Sequence, residues 1–141
     1  MMYLLDTCFL SELRRPRPDE GVLDWLARQA EESFLVSVVT VGELEKGVSQ
    51  LDDPVRREAI QAWLAGPFHK RFGARIVGVD AAVARCWGRL LGENARRGVT
   101  LPVVDALLSA TALTYDAAVV TRNAADFERC GARVVNPWRK A

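Results

Sequence analysis

The stretch Met2-Tyr3-Leu4-Leu5-Asp6-Thr7 decides how the rest of the chain is read. Its four apolar residues are too few for a helix to offset its nucleation cost, and they read as a short strand covered on both faces. The run stops at a carboxylate and a hydroxyl. In open parallel α/β sheets, ligands collect beyond the carboxyl ends of the strands. Asp6 is therefore a solvated strand end, a cap for whatever starts near Phe9, or one wall of a site.

Outward from this stretch the pattern recurs. Residues 34–39, 76–79, 117–120 and a weak 134–135 read as further strands. Helices are expected between them. Asp19 can cap a stripe of Val22, Leu23, Leu26 and Ala30, and another helix starts from about Val41. Asp53 as N-cap, Pro54 at the first helical position and Gly66 past the end delimit the next. Asp80 caps a long helix with the stripe Val83, Trp87, Leu90, Leu91 and Asn94, closed by Gly98, and Pro102 opens one that runs to about Thr114. Strands alternating with helices imply an α/β fold: a central, mostly parallel sheet of four to five strands with helices on both faces, in a single domain over 1–141. The pattern carries no strand order.

Composition excludes several functions. A formal charge of +1 sets up no global basic field, so nucleic acid could be bound only through local clusters. The apolar runs are too short to span a bilayer, and no basic segment leads into a long apolar one, so no secretory signal is expected. Cys8, Cys86 and Cys130 are odd in number and widely spaced, which argues against a disulfide framework and a thiolate metal site and suggests a reducing cytoplasm. The single histidine, His69, lies beside Lys70 and Arg71 and reads as a surface residue, so serine–histidine and multi-histidine zinc chemistry are poorly supplied.

Three more acids stand where Asp6 does, just beyond strands or early in helices. Glu43 falls in Thr40-Val41-Gly42-Glu43, which has the form of a capping box, so helix capping alone could explain it. Asp105 suits the helix dipole in the turn after Pro102. Its neighbours at helical spacing are Leu101, Leu108, Ser109 and Ala112, however, and no lysine or arginine occurs between Gly98 and Thr121. A carboxylate on that face loses hydration unless paired, hydrogen-bonded or bound to a cation. Thr121, Asn123 and Asp126 follow the fourth strand, with Asn123 a good N-cap and Asp126 at the third helical position. If these acids converge, their repulsion calls for a cation. An all-oxygen set without histidine or cysteine favours Mg²⁺, or Mn²⁺, over zinc. Such an ion can activate water and stabilise a leaving oxygen in phosphodiester cleavage.

Leu4-Leu5-Asp6-Thr7 with Leu10-Ser11-Glu12 resembles the N-terminal motif of PIN-domain ribonucleases. So do Ser37-Val38-Val39-Thr40-Val41-Gly42-Glu43-Leu44, Pro102-Val103-Val104-Asp105-Ala106-Leu107-Leu108-Ser109, Thr121-Arg122-Asn123 with Asp126-Phe127, and Val135-Asn136-Pro137-Trp138. With the motifs in order along essentially the whole chain, the pattern is similar to VapC-type toxins of toxin–antitoxin pairs, including the FitB-like branch. The resemblance implies a three-layer α/β/α PIN-like domain, a homodimer and Mg²⁺-dependent cleavage of RNA. It also implies a cognate antitoxin through which the pair reaches its promoter DNA. It assigns Asp6, Glu43 and Asp105 as metal-binding acids and Asp126 as an outer ligand, with Asn123 orienting a metal water. The chain departs from the pattern at Asn123, where many relatives have aspartate, and at Cys8, where relatives commonly have asparagine.

Thr7, Thr121 and Asn123 are supporting polar groups. Arg14, Arg15 and Arg17 could hold RNA phosphates or be a solvated basic loop. Trp25, Trp63, Trp87 and Trp138 read as core or dimer contacts. Leu44, Val48, Leu51, Ile60 and Leu64 are ordinary core or a groove for a partner helix. Two competing functions stay open: a non-catalytic interaction module in which the acids only cap helices, and a phosphoacceptor receiver domain. The latter would need paired acids at the first strand and a lysine where Arg122 stands.

Overall fold

The computed structural model describes residues 1–139, so the last two residues of the expected domain lie outside it. Five strands, β1 (Met2–Leu5), β2 (Phe34–Ser37), β3 (Ile76–Val77), β4 (Ala117–Val120) and β5 (Val134–Val135), form one sheet in the order β3-β2-β1-β4-β5. Every pairing is parallel. The chain builds outward from β1 to β3, then crosses to the other side of β1 for β4 and β5. The reversal of direction lies between β1 and β4, where Leu5 pairs with Val120.

Successive strand residues enter opposite layers, as the pleat requires. Leu5, Phe34, Val36 and Val120 join one buried cluster with Phe9, Leu10, Val22, Phe68 and Phe72. Leu4, Leu35, Ala117 and Val119 join another with Leu108, Ala112 and Phe127. The first face is covered by α1 (Thr7–Leu13), α2 (Glu20–Ala27), α3 (Val38–Ser49), α4 (Pro54–Trp63) and α5 (His69–Phe72). The second is covered by α7 (Val103–Thr114) and α8 (Ala124–Glu128). Trp87, Leu90 and Leu91 of α6 (Ala81–Arg96) pack on Leu101, Ala106 and Cys130. The result is the expected three-layer α/β/α arrangement.

Most of the expected caps form: Asp19, Asp53 and Asp80 each accept backbone N–H groups at their helix starts. Gly98, at φ +77°, ends α6 as expected. Several local expectations are corrected. β2 ends at Ser37, whose hydroxyl accepts from Val39 N, so α3 begins at Val38 rather than near Val41. Thr40 then lies inside the helix, and its buried hydroxyl has no hydrogen-bond partner among the described residues; no capping box exists. Gly66 does not stop its helix. Leu64–Phe68 forms a π turn around Pro67 and continues into α5. Pro67 cannot make the ordinary helical bond, so the turn widens, while Leu64, Phe68 and Phe72 keep one buried stripe running. β3 closes at Val77, two residues short of the expected end.

Candidate active site at the β1/β4 edge

Asp6 follows β1 directly at the point where strand order reverses, the place where open α/β sheets bind ligands. Its backbone N–H donates to Val120 O at 3.1 Å, which ties it to the end of β4. Oδ1 accepts from Thr7 N at 2.8 Å, making Asp6 the N-cap of α1. Oδ2 accepts from the Thr121 hydroxyl at 2.8 Å, and the Cys8 thiol lies 3.5 Å from the same oxygen. Only 8% of Asp6 is exposed, so these donors replace most of its water.

The other acids are gathered around this point. Glu43, one turn into α3, accepts from the Thr7 hydroxyl at 2.8 Å, so Thr7 donates to both carboxylates. Burial pushes the Glu43 carboxyl above its ordinary value, and the charges of Asp6 and Asp105 push the same way against the Thr7 hydrogen bond. Asp105, in the first turn of α7, is also raised, first by burial and then by the charges of Asp126 and Asp6. Asp126 is drawn into an ion pair with Arg129, one turn along α8. Glu43 thus feels Asp6 and Asp105, and Asp105 feels Asp126 and Asp6.

Their oxygen-only chemistry fits a hard divalent cation, and the mutual repulsion at Glu43 and Asp105 is what such an ion would relieve. As placed, however, no group of three or more histidine, cysteine, aspartate or glutamate side chains among the described residues is arranged to hold a metal ion. The side chains share an electrostatic neighbourhood without forming a ready-made coordination shell.

The supporting groups are partly as expected. Thr7 and Thr121 each bind an acid. Asn123 makes no side-chain cap bond; its N–H instead donates to the Thr121 hydroxyl at 3.0 Å. Thr121 therefore joins Asp6 to the start of α8. Cys8 lies 3.4 Å from the Thr121 hydroxyl and accepts from Arg122 N. Burial and the Asp6 charge push its thiol up.

Of the basic loop, Arg14 stacks over Trp63, Arg15 pairs with Glu12, and Arg17 is exposed. Residues not singled out in the sequence complete the surroundings. Arg56 faces the same cleft as Arg14. Its placement three residues into α4, against the helix dipole, is the one sequence signal that could have marked it. Glu12, only 5% exposed, accepts from the Trp138 indole at 3.1 Å and from Asp19 N at 3.0 Å. Burial alone would raise its carboxyl, but these donors and Arg15 outweigh it and hold the group below its usual range.

A parallel sheet whose strand order reverses between β1 and β4 puts Asp6 at the edge where open α/β sheets bind ligands. A PIN-domain profile matches residues 3–132, and the chain belongs to the PIN-domain family, of the VapC/FitB type. It is 31% identical to the VapC ribonuclease Y4jK of Sinorhizobium fredii, over 99% of this chain and 100% of that protein. It is also 31% identical to the toxin FitB of Neisseria gonorrhoeae, covering 97% of this chain and 99% of the relative. The solved structure of FitAB bound to an IR36 DNA fragment superposes with a TM-score of 0.88 at 29% identity, over 99% of this chain and 98% of that one.

Proposed function

We propose that this protein is the Mg²⁺-dependent endoribonuclease toxin of a type II toxin–antitoxin pair, with Mn²⁺ able to substitute. What supports the reading is the set Asp6, Glu43, Asp105 and Asp126, four acids from separate elements, of which Glu43 and Asp105 are raised by burial and by the charges of neighbouring acids. The similarity to a VapC ribonuclease and a named toxin supports the activity, and the likeness to a DNA-bound FitAB structure supports action with an antitoxin partner that reaches DNA. The working unit is a cytoplasmic homodimer of one PIN-like domain over 1–141, with RNA as substrate. No described helix is long and apolar enough to cross a membrane.

Asp6, Glu43 and Asp105 would hold the metal, with Asp126 outside them once released from Arg129. When bound, Mg²⁺ supplies an activated water and neutralises charge on the leaving oxygen. The chain's own part is positioning. Thr7 and Thr121 fix the carboxylates of Glu43 and Asp6, and the buried edge strengthens their fields. Asn123, exposed at the start of α8, faces water beside Thr121 and can orient it.

Purified protein should cut RNA with Mg²⁺ or Mn²⁺, stop with a chelator, and lose at least about a hundredfold in rate in Asp6→Asn or Asp105→Asn. Undiminished cleavage by either folded variant would end the roles assigned. Absence of cleavage with every divalent ion would favour the interaction-module reading.

A further inference from the structure

Asp126 comes to the acid edge with a cation attached. At the end of α8 the Arg129 guanidinium pairs with Asp126 Oδ1, and 60% of the arginine side chain and 44% of the aspartate's are exposed. The Cys130 thiol donates to Asp126 O at 3.4 Å, and Cys130 packs with Ala106, the chain neighbour of Asp105. Arg129 is thus carried on the piece of structure that packs against the start of α7. Its charge reaches Asp105, where it offsets part of the repulsion from Asp126 and Asp6. Lys46 does the same for Glu43 from within α3.

An exposed ion pair three residues apart holds weakly, because water and salt screen it and both side chains lose freedom to form it. Beside a set of like charges it still has a use, since the guanidinium compensates carboxylates that otherwise repel one another. A divalent ion drawn to the same acids meets that resident positive charge. The repulsion acts across solvent and is twice as strong for a divalent ion as for a monovalent one.

We propose that Arg129 is the resident counter-cation of the acid edge: in the metal-free protein its guanidinium holds Asp126, and a divalent ion claims that carboxylate only by displacing it. Arg129 therefore sets the concentration at which the ion loads. A guanidinium donates hydrogen bonds but does not act as a Lewis acid on water, so the arginine-held edge is the resting form. The inference rests on the reading of Asp105 and Asp126 as metal-binding acids.

The test measures ion binding with no RNA present. Metal-free wild type, Arg129→Gln, Arg129→Lys and Arg133→Gln are titrated with Mn²⁺ alone at low ionic strength. Free ion is read from its electron paramagnetic resonance signal. Arg133 is the control: it pairs with Asp116 just ahead of β4, at the opposite ends of the strands from Asp6, and is similarly exposed. Arg129→Gln removes the charge from an exposed side chain and should lower the Mn²⁺ Kd about three- to tenfold. Arg129→Lys keeps the charge and should stay near wild type, as should Arg133→Gln. Salt at about 0.5 M should bring Arg129→Gln and wild type together, because screening removes a through-space charge effect and leaves a structural one. An unchanged or weaker Kd in Arg129→Gln overturns the inference. So does a gain shared by Arg129→Lys, or one undiminished at high salt. Those results leave the ribonuclease reading standing as long as wild type binds Mn²⁺; no binding by wild type removes both.

Discussion

Asp105 carries a consequence that can be measured without any substrate. Its carboxyl is raised in the folded chain by burial and by the neighbouring charges of Asp126 and Asp6. A folded acid with a raised pKa holds its proton longer than the unfolded one, so folding stability falls as pH climbs from the unfolded value through the folded one. Glu43 works in the same direction. Metal-free protein should therefore gain melting temperature on mild acidification across that window. Asp105→Asn at neutral pH should melt a few degrees above wild type while losing cleavage; a lower Tm in the folded variant would contradict the strain assigned to this residue. The acids themselves were legible in the sequence because they follow strands or open helices. Their hydrogen-bond partners were less so. Thr7 reaches across 36 residues to Glu43, and Thr121 across 115 to Asp6. Nothing local encodes those distances.

Among the elements, the C-terminal segment after β5 is held by contacts that no periodicity announces. Trp138 is anchored through its indole to Glu12 in α1, and the segment passes so close to α2 that a Cβ on Gly21 would lie 2.4 Å from Pro137 O and 2.7 Å from Arg139 N. Alanine ordinarily favours a helix interior by up to ~1 kcal/mol over glycine. Here the clash should prevail: Gly21→Ala is expected to cost about 1–3 kcal/mol in urea unfolding and to shift Trp138 emission as the segment lifts. Glu12→Gln weakens a charged acceptor shared by the Trp138 and Asp19 donors and should cost about 1.5–3 kcal/mol. Helix starts were read well where an aspartate does the capping. They were misread at α3, where Ser37 capped three residues earlier than Thr40, because two hydroxyls in one β-branched run compete for the same job. The π turn escaped notice because Gly66 and Pro67 are ordinary stop signals, and only the buried stripe through Phe72 shows why the chain keeps turning.

For the molecule as a whole, the decisive quantity is the response of the folded chain to a divalent ion. Binding to the native state alone stabilises it by about 2.7 kcal/mol at a concentration a hundred times Kd. Mg²⁺ should accordingly raise the melting temperature of wild type by several degrees, and chelation should reverse it. Asp6→Asn should show little of either effect; equal Mg²⁺ shifts in wild type and Asp6→Asn would separate the ion from the acid edge. Residue type and spacing alone determined the alternation of strands with helices, the layered α/β class and the acids worth watching, since hydrophobic period and capping are local properties of the chain. Tertiary structure decided the strand order, because parallel pairing depends on crossovers that no short stretch specifies. That order puts Asp6 beside Thr121 and lets the charges of Asp6 and Asp105 act on Glu43. It also sets Arg56 opposite Arg14, an encounter between α4 and α1 made only when both helices pack on the same face of the sheet.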